Sequence, residues 1–224
     1  MKVIAVVPAR GGSKSIKNKN IIKINNKPLI HYTLEKAVKS NVFDQIVVTS
    51  DSKKILFECS KYKKIKTIKR PKKISTDKSQ TVEAILHSNK VLNLANIFAD
   101  VIIILEPTSP LRSIKTIKKS VDVFKKNKNI DSLISVIETK ALYGKILNNN
   151  NFKYNEVNIK RRRQDRIPLY KETGTIWGTR TKFVTKFKKI IGGNIYPLII
   201  DKNEDLDIND KEDINLLKRL LNKF

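Results

Sequence analysis

Short apolar, β-branched runs alternate with amphipathic segments along the first two thirds of this chain. The runs fall at residues 2–7, 45–49, 65–68, 101–105 and 132–137. Each is short and continuous, the pattern of a strand buried on both faces. Between them, apolar residues spaced three and four apart predict helices over 29–39, 52–62, 81–94 and 114–127, with Ser52 and Ser113 as N-caps. Strands that alternate with helices predict an α/β fold, with a mainly parallel central sheet flanked by helices.

After Ile137 the alternation stops. Residues 140–170 are polar, Asn-rich from Asn148 to Asn151 and basic from Lys160 to Arg163. This stretch, about 138–170, reads as an arm inserted in a single domain of 1–224. Regular structure resumes at 174–178 and 195–200, and the chain closes on an amphipathic helix at 211–221.

Composition narrows the chemistry. A length of 224 residues suits one substantial core. The single Cys59 excludes an internal disulfide framework, and with only His31 and His87 no Cys/His zinc cluster can be built. The apolar start is too short for a signal-peptide core, and no later run is long enough to span a bilayer, so a cytoplasmic location without a membrane partner is expected. A formal charge of +26 raises nucleic acid as a partner. The lysines, however, are spread along the whole chain among many Asn and Ile, as an adenine- and thymine-rich genome produces without selection for binding. Aromatics make up 7% and are not interleaved with the basic residues for base stacking. No nucleic-acid partner is expected, although an acidic substrate would still benefit from the field.

The candidate chemistry begins where the first strand ends. Ala9-Arg10-Gly11-Gly12-Ser13-Lys14 leaves the sheet at its carboxyl edge, where ligands of open α/β sheets bind. Paired glycines let backbone amides approach a phosphate, Ser13 offers a hydroxyl, and Arg10, Lys14 and Lys19 carry the positive charge a triphosphate requires. Neither the Walker spacing nor the dinucleotide fingerprint is present, which disfavours a kinase or a dehydrogenase. The alternative is a solvated basic loop with a simple Gly-Gly turn.

Together with this loop, Arg70-Pro71, Glu106-Pro107-Thr108-Ser109-Pro110-Leu111-Arg112, Arg163-Gln164 and Asp207-Ile208-Asn209 occur in an order that resembles the acylneuraminate cytidylyltransferases, or CMP-sialic acid synthetases. The resemblance spans nearly the whole chain. It implies a Rossmann-like nucleotidyltransferase fold, a homodimer joined through the arm at about 138–170, and dependence on a divalent cation such as magnesium. The implied reaction is transfer of CMP from CTP to the anomeric hydroxyl of a sialic-acid-like nonulosonic acid. Related acids (legionaminic, pseudaminic or 3-deoxy-octulosonic) and a non-catalytic CTP binder remain open as alternatives.

By motif position the resemblance assigns Arg10, Gly11, Gly12, Ser13, Lys14, Lys19, Asn20 and Arg70 to the nucleotide. Thr76 to Thr81, Ser79 and Thr81 among them, would line the base pocket, although by chemistry alone that stretch equally suits the loop that leads into a helix. Glu106, Arg112, Arg163, Gln164 and Thr173 would meet the sugar acid; for Lys160 to Arg163, charge alone favours a solvated run. Asp207 and Asn209 would hold the metal, and Arg10, Lys14, Lys19 and Asp207 would carry catalysis. Asp207 also suits the charge at a helix N-terminus. Against the family's usual pattern, Asn209 stands where an aspartate is common, Glu106 where a glutamine is common, Ser15 where a glycine is common, and Thr173 where an asparagine precedes the glycine. Because Glu106 restores the charge that Asn209 removes, it is expected to help hold or orient the cation.

Overall fold

A computed structural model describes residues 1–13, 15–155 and 158–222. The chain runs β1 (Val3–Pro8), a short hairpin of β2 (Lys23–Ile24) and β3 (Lys27–Pro28), α1 (Leu29–Ser40), β4 (Gln45–Ser50), α2 (Lys53–Ser60), β5 (Ile65–Lys69), α3 (Thr81–Leu94), β6 (Val101–Ile104) and α4 (Ile114–Lys126). It continues through β7 (Ser132–Thr139), a second hairpin of β8 (Gly144–Ile146) and β9 (Phe152–Tyr154), β10 (Leu169–Arg180), α5 (Thr181–Phe187), β11 (Ile195–Ile199) and α6 (Lys211–Leu221). Seven strands form one sheet in the order β11-β7-β10-β6-β1-β4-β5. Its ladders are parallel except for the two made by β10, which runs against β6 and β7.

The β-branched runs form strands because both faces of the sheet are covered. Ala5 and Val7 of β1 point to one face, against Ile30 and Leu34 of α1, Ile55 and Cys59 of α2, and Ile117 and Val121 of α4. Ile4 and Val6, one residue out of phase, point to the other face with Ile85 and Leu92 of α3 and Val184 of α5. The period of two sorts successive residues to opposite faces. Each fully buried aliphatic side chain stabilises the fold by roughly 1.5–3 kcal/mol. Ser52 and Ser113 cap α2 and α4 as expected, accepting from the backbone N–H of Ile55 and Thr116.

Two elements depart from the sequence pattern. Helix α5 was not expected: it has only seven residues, and its buried Phe183 and Val184 are adjacent, so no helical period is visible. Strand β10 is longer than 174–178 because it pairs with β7 from Leu169 opposite Thr139 onward. That pairing clasps the base of the arm, which therefore begins after Thr139 and carries the β8–β9 hairpin. Between Thr173 and Trp177 the register slips. There the hydroxyl of Ser135 accepts from the Ile176 N–H and lies 2.7 Å from the Thr173 hydroxyl, which stitches the bulge in place.

A third, smaller apolar cluster joins distant parts of the chain. Ile16 from the loop after β1, Ile24 of β2, and Leu29 and Tyr32 of α1 pack with Ile208 and with Ile214 and Leu217 of α6.

Candidate active site

After β1 the chain builds β4 and β5 on one side and then crosses to place β6 on the other. The carboxyl ends of β1 and β6 therefore flank the crevice where an open α/β sheet switches direction. A cavity of about 370 Å³ lies there, reached by Arg10, Gly12, Ser13, Lys19 and Asn20 from the first loop, by Arg70, by residues 74–77 and 79–81, by Glu106 and Thr108, and by Gly174, Trp177 and Asp207.

The loop is held by specific contacts. Asn20 donates from its side-chain amide to the Arg10 carbonyl at 2.9 Å, and Lys19 donates from Nζ to the Ile208 carbonyl at 2.8 Å. Asn18 takes the left-handed conformation that turns the chain into this segment. Gly12 has open space around its α-carbon, so its backbone is accessible to a ligand. Gly11 behaves differently from its assignment to the nucleotide. Its N–H donates to the Asp51 carboxylate at 2.8 Å, and a β-carbon there would stand 2.8 Å from that of Ser52. Gly11 thus packs the loop on the end of β4, outside the cavity. Lys14 lies outside the described residues.

Arg70, directly after β5, is 6% exposed, and its Nε and Nη2 atoms have no hydrogen-bond partner among the described residues. Burial pulls its pKa down, and Asp51 and Glu106 act against that. A buried guanidinium with unmet donors is costly unless an anion arrives. Beside it, residues 75–81 both lead into α3 and line the cavity. Ser79 accepts from the Thr76 N–H at 3.0 Å, and Glu83 accepts from the Gln80 N–H at 2.8 Å. Ser79 and Thr81 both face the cavity. Sequence reasoning did not single out Asp77, whose carboxylate accepts from Arg10 at 2.6 Å. The signal was a lone acid opposite a basic loop.

At the end of β6, Glu106 faces the cavity while Arg112 does not. Arg112 is 1% exposed and donates to the Thr175 and Glu106 carbonyls and to the Thr33 hydroxyl. Its expected contact with the sugar acid is thereby corrected: its donors hold the 106–112 turn against β10. Burial pushes its pKa down to about 10, with Glu106 and Glu204 acting the other way. Burial pushes the Glu106 carboxyl up to about 7; Arg112, Arg70 and Lys19 lower it, and Asp207 raises it further. Thr173 is likewise corrected. It is 4% exposed and bonded to Ser135, while its neighbour Gly174 reaches the cavity, as strand alternation requires. Trp177 forms a wall of the cavity, with its indole N–H on the Glu172 carboxylate at 2.9 Å.

On the C-terminal side, Ile208 is fully buried and its N–H donates to the Thr108 carbonyl at 2.8 Å, which turns Asp207 into the cavity. The cap of α6 is supplied by Asp210 and Asp213, so Asp207 does not serve as the helix-terminal charge. Asp205 pairs with Lys171 at 2.7 Å, away from the cavity. The Asn209 amide donates to the Asp207 carboxylate at 3.0 Å, and its N–H donates to Asp213 at 2.7 Å. Arg163 and Gln164 form an exposed turn on the arm and do not line this chain's cavity. The arm is organised by Arg166, which donates to the Lys160, Arg161 and Lys140 carbonyls.

Among the described residues no group of three or more His, Cys, Asp or Glu side chains could form a metal cage. Magnesium does not require one, since it binds one or two carboxylates together with substrate phosphates. Asp207 and Glu106, in a cavity with an arginine that has two nitrogens without partners among the described residues, fit that requirement. No helix among the described residues is long and apolar enough to cross a membrane.

An open α/β sheet whose switch-point crevice is edged by a glycine loop, cationic side chains and small hydroxyl residues defines a nucleotide-binding protein. The model of the cytidylyltransferase family matches residues 4–216, and the chain belongs to that family. It is 30% identical to a pseudaminic acid cytidylyltransferase of Campylobacter jejuni, over 98% of this chain and 96% of the relative. It is 28% identical to a CMP-N,N'-diacetyllegionaminic acid synthase of Legionella pneumophila, over 99% and 97%. It is also 28% identical to an N-acylneuraminate cytidylyltransferase of Escherichia coli; there it covers 96% of its own length but spans only 51% of the relative. Solved structures share the fold. CMP:2-keto-3-deoxy-manno-octonic acid synthetase complexed with CTP matches with a TM-score of 0.73 at 12% identity, covering 100% of this chain and 99% of that one. A 4-diphosphocytidyl-2C-methyl-D-erythritol synthase of Anaerococcus prevotii matches with 0.71 at 13%, covering 99% and 98%.

Proposed function

We propose that this cytidylyltransferase moves CMP from CTP to the anomeric hydroxyl of a nine-carbon nonulosonic acid and releases pyrophosphate. The observation that carries the reading is the buried Arg70, whose Nε and Nη2 have no partner among the described residues, in a cavity bordered by the Gly12–Ser13 loop. Full-length similarity to enzymes named for pseudaminic and legionaminic acids supports the substrate class.

In this reading the anomeric oxygen attacks the α-phosphorus in line, the bond to the β-phosphate oxygen breaks, and the hydroxyl proton passes to water. Catalysis is then largely positioning and neutralisation of charge. Arg10, Ser13 and Lys19 receive the phosphates, with Lys14 assigned to the same task by its motif. Arg70 supplies two nitrogen donors, Nε and Nη2, that no group among the described residues takes. Residues 75–81 offer hydroxyls and backbone groups to the base at low steric cost. Magnesium held at Asp207 would neutralise phosphate charge and acidify the attacking hydroxyl.

The arm exposes Tyr143, Ile146, Phe152 and Ile167, an apolar surface of the kind that a second copy covers. Arg163 and Gln164 ride on that arm, so in a homodimer their expected role toward the sugar acid belongs to the partner's cavity. The reading places the reaction in the cytoplasm, where CTP is available.

The test is pyrophosphate release with magnesium, each of the four nucleoside triphosphates, and a panel of nine-carbon and eight-carbon sugar acids. Release with CTP and a nine-carbon acid, at least about tenfold above every other pairing, is expected. Equal turnover with UTP or ATP, or turnover with the eight-carbon acid alone, overturns the assignment.

A further inference from the structure

The cavity holds charges that do not satisfy one another. Glu106, at the end of β6, and Asp207, on the segment before α6, both reach it from separate elements of the fold. Arg70 reaches the same cavity, yet two of its buried nitrogens have no acceptor. A cation lacking on the carboxylate side and an anion lacking on the arginine side together describe one ligand, a metal-bound polyphosphate.

Asn209 does not complete a carboxylate pair with Asp207. Its amide nitrogen is turned onto the Asp207 carboxylate, and an amide N–H is a donor with nothing to offer a metal. The contact fixes Asp207 and takes up one of its oxygen lone pairs. Among the described residues, the remaining negative side chain that reaches the cavity with Asp207, apart from Asp77 paired to Arg10, is Glu106.

We infer that Glu106 and Asp207 hold the catalytic cation between them from two separate elements of the fold, with Asn209 acting as a positioning residue for Asp207 and not as a ligand. This rests on the CTP reading above. The cation is thereby tied to β6 as well as to the C-terminal segment, and the second carboxylate stands on the side of the cavity nearest the 106–112 turn.

Manganese serves as the probe. Trp177 is the single tryptophan and walls the cavity, so paramagnetic quenching reports metal at this site, while electron paramagnetic resonance counts free Mn²⁺. Titrations are made on the full chain with a non-hydrolysable CTP analogue, on wild type, Glu106→Gln and Glu106→Gln/Asn209→Asp. The isosteric Glu106→Gln is expected to weaken Mn²⁺ binding by at least about tenfold. In the double variant, Asn209→Asp returns the lost charge beside Asp207 and is expected to recover most of the affinity.

Unchanged Mn²⁺ affinity in Glu106→Gln overturns the inference. So does a loss that Asn209→Asp fails to restore, because Glu106 would then act through pocket shape and not through charge. The same analogue titrated at saturating Mg²⁺, followed by Trp177 emission, keeps the two readings apart. If wild type gives no response there, the CTP reading fails; if wild type and Glu106→Gln reach the same response, both bind the nucleotide and any difference in Mn²⁺ affinity belongs to the metal.

Discussion

Two arginines lie buried beyond the carboxyl ends of β5 and β6, and they are buried for opposite reasons. Arg112 donates to two carbonyls and a hydroxyl and joins the 106–112 turn to α1 and β10. Arg70, of similar burial, leaves two nitrogens without acceptors at the cavity wall. The first completes the fold, and in the proposed function the second is completed by the nucleotide. Burial of a charged group therefore does not locate a ligand site. The state of its donors does.

The contrast can be broken experimentally. The largest effect is expected for Arg112→Met, which leaves several buried acceptors unmet. Urea denaturation should show a loss of about 3 kcal/mol or more, and a loss below about 1 kcal/mol would place Arg112 among the ligand-facing residues after all. Arg70→Met should do the reverse. Stability should stay within about 1 kcal/mol of wild type or rise, while CTP affinity by calorimetry falls about 100-fold. Unaltered affinity would make Arg70 structural.

A smaller effect tests the electrostatics of the Arg112 side alone. Lys36 donates to the Pro110 carbonyl at 2.7 Å, and burial, reinforced by Arg112, pulls its pKa down to about 8. Its folded pKa is below the unfolded value near 10.5, so between these values the native state holds fewer protons than the unfolded chain, and stability rises with pH. Against Lys36→Gln, wild type should gain on the order of 1 kcal/mol between pH 7 and pH 9.5, after discounting for solvent screening. A flat difference would mean that the ammonium is not strained by its surroundings.

The same division governs what could be read from the sequence. The strands 45–49 and 65–68 and the helix 81–94 were legible because continuous apolar runs and helical spacing survive translation into layers. Helix α5 was not, since seven residues with adjacent apolar positions carry no period. In the site, Arg10, Ser13, Arg70 and Asp207 were marked by motif, and the structure brings them to one cavity. Arg112, Thr173 and Gly11 carry motif positions equally well, but they turn inward to carbonyls, to Ser135 and to Asp51. A motif records that a residue type is required at a position. Whether its donors point to protein or to ligand is decided by tertiary contacts such as the bulge between Thr173 and Trp177. Gly174 was missed for the complementary reason, since it reaches the cavity only because strand alternation turns Thr173 inward.

The small cluster that joins Ile16 to Ile208 has a consequence for synthesis on the ribosome. Residues nearly two hundred positions apart must meet before the glycine loop rests on its support and Lys19 finds the Ile208 carbonyl. A nascent chain can assemble β1 through β6 while α6 is still being made, yet its cavity has no wall on the Asp207 side. The competent site is therefore the last part of the molecule to be finished, and interrupted translation leaves a sheet that lacks a complete site.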